Sequence, residues 1–186
     1  MILSILIPSL QSRAGSLRTL LKLIGTHEGV EVLTHIDDGR ISTGNKRNQL
    51  IEKAQGKYVV HIDDDDYITP KYIPEILKAA QENPDVICFK GWMTVDGANR
   101  KDFHFSINYP YAQVEHKGKQ IYLRYPNHLC PIKREIANKV LFPNRTIGED
   151  YDWATKIHNQ KLLKTQVLID EFIYHYKYRY NNFKCR

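Results

Sequence analysis

The sequence predicts an α/β fold, with a mostly parallel, Rossmann-like sheet flanked by helices and a smaller antiparallel sheet after it. Three observations predict it. Short β-branched runs alternate with amphipathic helical segments through the first half of the chain. Polar residues collect just past the ends of those runs, where open α/β sheets bind ligands. Beyond about residue 94 the alternation loosens into short two-residue-period pieces that suit antiparallel strands.

The first element is an apolar run over residues 2–7, stopped by Pro8, which suits a strand buried on both faces. Residues 16–24 place Leu17, Leu20, Leu21 and Ile24 at helical spacing, with Gly25 as the stop. Residues 30–36 form a second strand that runs into Asp37, Asp38 and Gly39. A helix capped by Thr43 or Asn45 turns Leu50, Ile51 and Ala54 inward. Residues 57–62 form a third strand leading straight into four aspartates, residues 63–66. A helix over 70–82, a strand over 86–89, strands over 103–107 and 120–123, a helix over 149–160 and strands over 166–169 and 172–178 complete the expectation. With no repeat, low-complexity stretch or linker, the 186 residues read as one domain, with a first half over 1–92 and a second over 93–186.

Composition narrows the function. With 42% hydrophobic residues the chain can bury a core, and no apolar run approaches the length of a membrane span. The N-terminus shows neither a basic lead nor a small-residue cleavage site. Cys88, Cys130 and Cys185 are odd in number and far apart, so a reducing, cytoplasmic setting is the simpler expectation. The net charge of +6 points to an anionic partner.

Four carboxylates in a row at a sheet edge repel one another, by about 4 kcal/mol per close pair at an effective dielectric near 20. A hard divalent cation offsets that, and Mg²⁺ or Mn²⁺ takes one or two carboxylates plus phosphate oxygens. In an extended strand Asp63 and Asp65 project to the same side. The spacing of an EF-hand is absent, and so is a P-loop. At the head of the helix over 149–160, Asp150, Trp153, Ala154 and Ile157 share one face, which turns Asp150 inward as a candidate proton acceptor. The stretch Phe172 to Tyr180 alternates strictly, with aromatic rings on one side and Ile173, His175, Lys177 and Arg179 on the other.

Taken in order, Ile5-Leu6-Ile7-Pro8-Ser9, Ile36-Asp37-Asp38-Gly39, Lys46-Arg47-Asn48, Ala54-Gln55-Gly56-Lys57-Tyr58, His61-Ile62-Asp63-Asp64-Asp65-Asp66 and Gly148-Glu149-Asp150 resemble the motifs of GT-A glycosyltransferases, family 2 in particular. The resemblance covers roughly residues 2–178. It implies a nucleotide-sugar-binding half followed by an acceptor-binding half, with inversion at the anomeric carbon. Carried over by position, Pro8, Ser9 and Arg13 line the nucleotide pocket, joined by Arg47 and Asp64. Asp37 or Asp38 contacts the base, often uracil. Asp63 faces the ribose or the metal, Asp65 ligates the metal on the diphosphate, and Asp150 is the catalytic base. A late His is an extra metal ligand in several such enzymes, which nominates His175, and Lys177 and Arg179 are cations for the diphosphate. Trp92, His128, Glu149 and Trp153 are the candidates for acceptor or sugar contact. Asp-Asp-Gly-Arg replaces the commoner Asp-Asp-Gly-Ser here, and the chain is short for the family.

The expected reaction transfers sugar from a nucleoside-diphosphate sugar, a UDP-sugar in the family pattern, to a saccharide or other hydroxyl acceptor, with no nucleic-acid partner. A sugar nucleotidyltransferase is the enzymatic alternative. A basic, tyrosine-rich nucleic-acid-binding module is the other, and the acidic run argues against it.

Overall fold

The structure is a computed structural model that describes residues 1–116 and 118–179. The tail cations Lys184 and Arg186, Tyr180 and Cys185 lie outside the described residues. In the first half the chain forms β1 (Leu3–Leu10), α1 (Ala14–Ile24), β2 (Val30–Asp37), α2 (Thr43–Lys53), β3 (Tyr58–His61), β4 (Tyr67–Ile68), α3 (Tyr72–Ala79) and β5 (Val86–Val95). The second half forms β6 (Ala98–Phe105), β7 (Ala112–His116), β8 (Lys119–Arg124), β9 (Ile132–Lys133), α4 (Arg134–Ala137), α5 (Glu149–Asn159) and β10 (Gln166–Tyr178).

One ten-stranded sheet runs through both halves in the order β2-β1-β3-β9-β5-β6-β8-β7, with β10 pairing β5 and β4. β1 lies parallel to β2 and β3, and β10 parallel to β5. The short β9 is antiparallel to β3 and to β5, splicing the two halves together. It is too short to show a period in the sequence. β1 is buried almost end to end, because helices cover both its faces. Leu17, Leu20 and Ile24 of α1 supply part of that cover, and Gly25 ends the helix with φ 64°.

Three boundaries differ from expectation for physical reasons. Ser42 caps α2, its hydroxyl accepting from the Asn45 amide at 3.2 Å. The helix expected to reach residue 82 relaxes into a 3₁₀ turn, Ala80–Glu82, and stops at Asn83 in the left-handed region, just before Pro84. The two late strands are one strand, β10, whose register against β5 shifts near residues 169–174.

Two features of α2 place the site. Its inward face carries Lys46 and Arg47, both buried, beside Leu50 and Ile51. Its first turn also presses against the segment before α5, where the Gly44 amide donates to the Arg145 carbonyl at 3.0 Å. A Cβ on Gly44 would fall 2.0 Å from the Pro143 oxygen, so only glycine allows this approach.

Candidate active site

β3 stops at His61, and the aspartates that follow close a turn, with the Asp66 amide donating to the Asp63 carbonyl at 3.1 Å. Asp63 and Asp65 therefore do not project together from an extended strand. Mutual repulsion is relieved by sending the carboxylates to different partners. Asp64 accepts from the Ser9 hydroxyl at 2.5 Å and from Arg13 Nη1 at 3.0 Å, and the same nitrogen lies 3.2 Å from Asp65 Oδ2. Asp63 accepts from Arg47 Nη2 at 2.8 Å. Asp66 turns into the core, where it accepts from the Tyr174 hydroxyl at 2.6 Å and the Lys177 amide at 2.9 Å.

Those environments push the carboxyls apart in acidity. Burial works against the charged form of Asp63, but Arg47 and His128 outweigh it and hold the group well below the usual carboxylate range. Asp66 goes the other way, raised well above it by burial and by the charge of Asp63. Asp65 is also raised, because burial and its acidic neighbours exceed what Arg13 returns.

Arg47 links the run to α5. Its side chain is only 2% exposed, and its Nε lies 3.4 Å from Glu149 Oε1. Burial and the adjacent Asp150 raise the Glu149 carboxyl despite Arg47. Asp150 stays more open, at 36% side-chain exposure. The inward acid at the head of α5 is thus Glu149, one turn from Trp153 at i, i+4, which corrects the expected orientation. Between run and helix stands His128, its Nε2 3.8 Å from Asp63 and its Nδ1 3.5 Å from Asp150. Neither ring nitrogen has a hydrogen-bond partner among the described residues.

All of these groups open on one cavity of about 1210 Å³. Pro8, Ser9, Arg13, Asp38, Arg47, residues 63–65, His128, Glu149 and Asp150 line it, together with Lys177 and Arg179. Asp37 does not. It is tied to Lys46, whose ammonium also donates to the Ser9 carbonyl at 2.9 Å, and it accepts from the Ile41 amide at 2.8 Å.

Three expected contacts lie elsewhere. Trp153 is 2% exposed, its indole N–H donates to the Val140 carbonyl at 2.8 Å, and its ring stacks on Phe142, so it is core and not a sugar platform. His175 hydrogen-bonds Thr94 at 2.9 Å and stacks on Trp92 at 4.8 Å, away from the aspartates. Trp92 is consumed in that stack and under Arg100. The cause is which face of β10 turns inward. The aromatic side, with Tyr174 on Asp66 and Tyr176 in the cavity wall, meets the carboxylates, which corrects the placing of His175. Lys133 and Arg134, near His128 in the chain, are structural: the first pairs with Asp85 and the second donates to the Gly56 carbonyl. Lys46, Tyr111, Tyr122, Arg124 and Tyr176 were not singled out, although all line the cavity. Strict alternation in β10 was the available signal for Tyr176.

The family model for glycosyl transferase family 2 matches residues 12–141. The chain belongs to that family. An uncharacterized glycosyltransferase of Methanocaldococcus jannaschii is 24% identical over 76% of this chain and 49% of its own length. The putative glycosyltransferase EpsH of Bacillus subtilis is 32% identical over 42% of this chain and 23% of its own. Among solved structures, S. aureus TarS 1–349 in complex with UDP-GlcNAc superposes with a TM-score of 0.70 at 15% identity, covering 96% of this chain and 59% of that one. The chain thus spans about half or less of the curated relatives it matches. At such identity TarS shows the fold, a GT-A sheet, in this family 2 chain.

A divalent cation fits the donor set in a limited way. Among the described residues no three His, Cys, Asp or Glu side chains converge as a cage. Asp63 is paired with Arg47, whereas Asp65 lines the cavity near Arg13 with its carboxyl raised chiefly by burial. Hard carboxylate oxygens presented singly suit Mg²⁺ or Mn²⁺ completed by phosphate oxygens. His175 is not placed to join them.

Proposed function

We propose that this chain is a metal-dependent, inverting glycosyltransferase that moves a sugar from a nucleoside-diphosphate sugar, a UDP-sugar, to an acceptor hydroxyl. One observation carries the reading: the carboxylates beyond β3 and Asp150 at the head of α5 open on the same cavity, with His128 between them. Family membership supports it, and so does the UDP-GlcNAc found with TarS, whose fold the chain shares.

The nucleotide lies over the end of β1, with Ser9, Arg13 and Asp38 around it, and its diphosphate lies toward Asp65 and the cations Lys177 and Arg179. Asp65 and Asp63 would hold a Mg²⁺ or Mn²⁺, which would supply charge neutralisation for the diphosphate. Asp150 is exposed enough to meet the acceptor. It accepts the hydroxyl proton as that oxygen bonds to the anomeric carbon and the bond to the diphosphate oxygen breaks on the opposite side. Arg47 holds Glu149 and Asp63 in place and thereby fixes the distance between base and nucleotide end.

Thermal-shift measurement with UDP, with MnCl₂ and with both tests the donor half: stabilisation is expected with both together, and Asp65→Ala is expected to remove the part that depends on manganese. Product analysis tests the chemistry. Release of UDP supports glycosyl transfer, whereas release of pyrophosphate refutes it in favour of nucleotidyl transfer.

A further inference from the structure

The far end of the cavity is built differently from the nucleotide end. Phe103 pairs with Tyr122 across β6 and β8, so Lys101, Phe103 and Phe105 share a face with Tyr122 and Arg124. Met93 of β5 and Tyr176 of β10 continue that face, and all of these residues except Lys101 line the cavity. At its outer margin Arg124 lies between two rings, its guanidinium carbon 3.8 Å from the Tyr111 centroid and 4.7 Å from that of Tyr122. Arg124 Nη1 donates to the carbonyls of Ala112 at 2.7 Å and Leu123 at 2.8 Å.

That anchoring fixes the guanidinium while its Nε–Nη2 edge makes no hydrogen bond, and no carboxylate pairs with it, among the described residues. Lys101 donates to the Tyr122 hydroxyl at 3.2 Å and likewise has no acid partner there. Arg124 is thus held between two tyrosine rings on the cavity lining, with one guanidinium edge left unused among the described residues. A fixed guanidinium edge matches the two oxygens of a carboxylate or phosphate. Tyr111 adds a ring that is 52% exposed and reaches Tyr151, the residue after Asp150, at 5.2 Å. The donor diphosphate has other cations to meet, since Arg13, Lys177 and Arg179 also line the cavity.

We propose that Arg124, flanked by Tyr111 and Tyr122, forms an acceptor subsite for a saccharide that carries an anionic group, a carboxylate or a phosphate. The proposal rests on the glycosyltransferase reading for the identity of the occupant. Its test is calorimetry on the full chain saturated with UDP and MnCl₂, titrated with a glucuronic acid-terminated disaccharide, a 6-phosphorylated disaccharide and their neutral glucose counterpart. At least one charged sugar is expected to bind about tenfold or more tighter than the neutral one, and which of the two does so identifies the anion. Arg124→Gln is expected to erase that preference while UDP affinity stays within about twofold. Arg124→Lys, which keeps the charge without the fork, retains part of it, and Tyr111→Ala weakens charged and neutral sugars alike. Equal affinity for charged and neutral sugars, binding of neither, or a preference that survives Arg124→Gln overturns the subsite. Failure of UDP to bind counts against the glycosyltransferase reading alone. The sugars are then titrated without nucleotide, and the charge preference still decides the subsite.

Discussion

Asp150 and Glu149 are adjacent carboxylates with different surroundings, one open to the cavity and the other pinned to Arg47. The open one is the base in this reading. Asp150→Asn is expected to leave UDP affinity unchanged and to cut turnover by about 10²–10⁴-fold, the range for loss of a general base. Steady-state kinetics alongside calorimetry check both halves, and unchanged turnover removes Asp150 from the mechanism. Arg47 has a structural consequence of its own. Arg47→Met leaves Glu149 buried and Asp63 half-buried without their cation, which is expected to cost about 3 kcal/mol by urea denaturation near neutral pH. The pH dependence carries the sign. In the native protein Asp63 titrates below its ordinary value of about 4, so its stabilising share is present above that value and lost as pH falls beneath it. In the variant His128 alone is left against burial, so Asp63 moves up and the stability gained above its ordinary value shrinks. The two stability curves are expected to converge in acid, and parallel curves would refute the assignment.

At the level of elements, the site depends on α2 docking against the segment before α5. Gly44→Ala puts a methyl group against the Pro143 carbonyl, a backbone contact that cannot rotate away. The expected cost is about 1–3 kcal/mol, the usual range for overpacking, with a further loss of activity because the head of α5 moves relative to the aspartates. Denaturant unfolding and kinetics on the same preparation check it. Much of this level is readable from sequence. Apolar period placed α1, α2 and α5 within a few residues, and the run of aspartates after an apolar strand marked the edge on which the cavity opens. Two things were hidden. A strand with period two declares that it has two faces without saying which one meets the site, so His175 and Tyr176 exchanged roles. A helix head likewise does not say which of two neighbouring acids points inward, because both Glu149 and Asp150 sit near enough to Trp153 in helical spacing. Those choices are made by β5 and by Arg47, residues distant in the chain.

For the whole molecule, the +6 charge is not spread evenly over function. The cavity edge beyond β1 and β3 mixes acids with Arg13, Arg47 and Lys46, whereas Arg124, beside Tyr122 on its lining, has no acid partner among the described residues. No helix among those residues is long and apolar enough to cross a membrane. The order of the sheet has one last implication. β6, β8 and β7 form its outer margin, and among the described residues their strand pairing with the rest of the sheet runs through β5–β6. Side chains tie the margin in as well, with Phe105 against Phe89 and Tyr111 against Tyr151. On the proposed reading, a chimera that takes residues 98–124 from another family member but keeps Phe105 and Tyr111 is expected to hold its UDP affinity while its acceptor preference changes, which calorimetry checks.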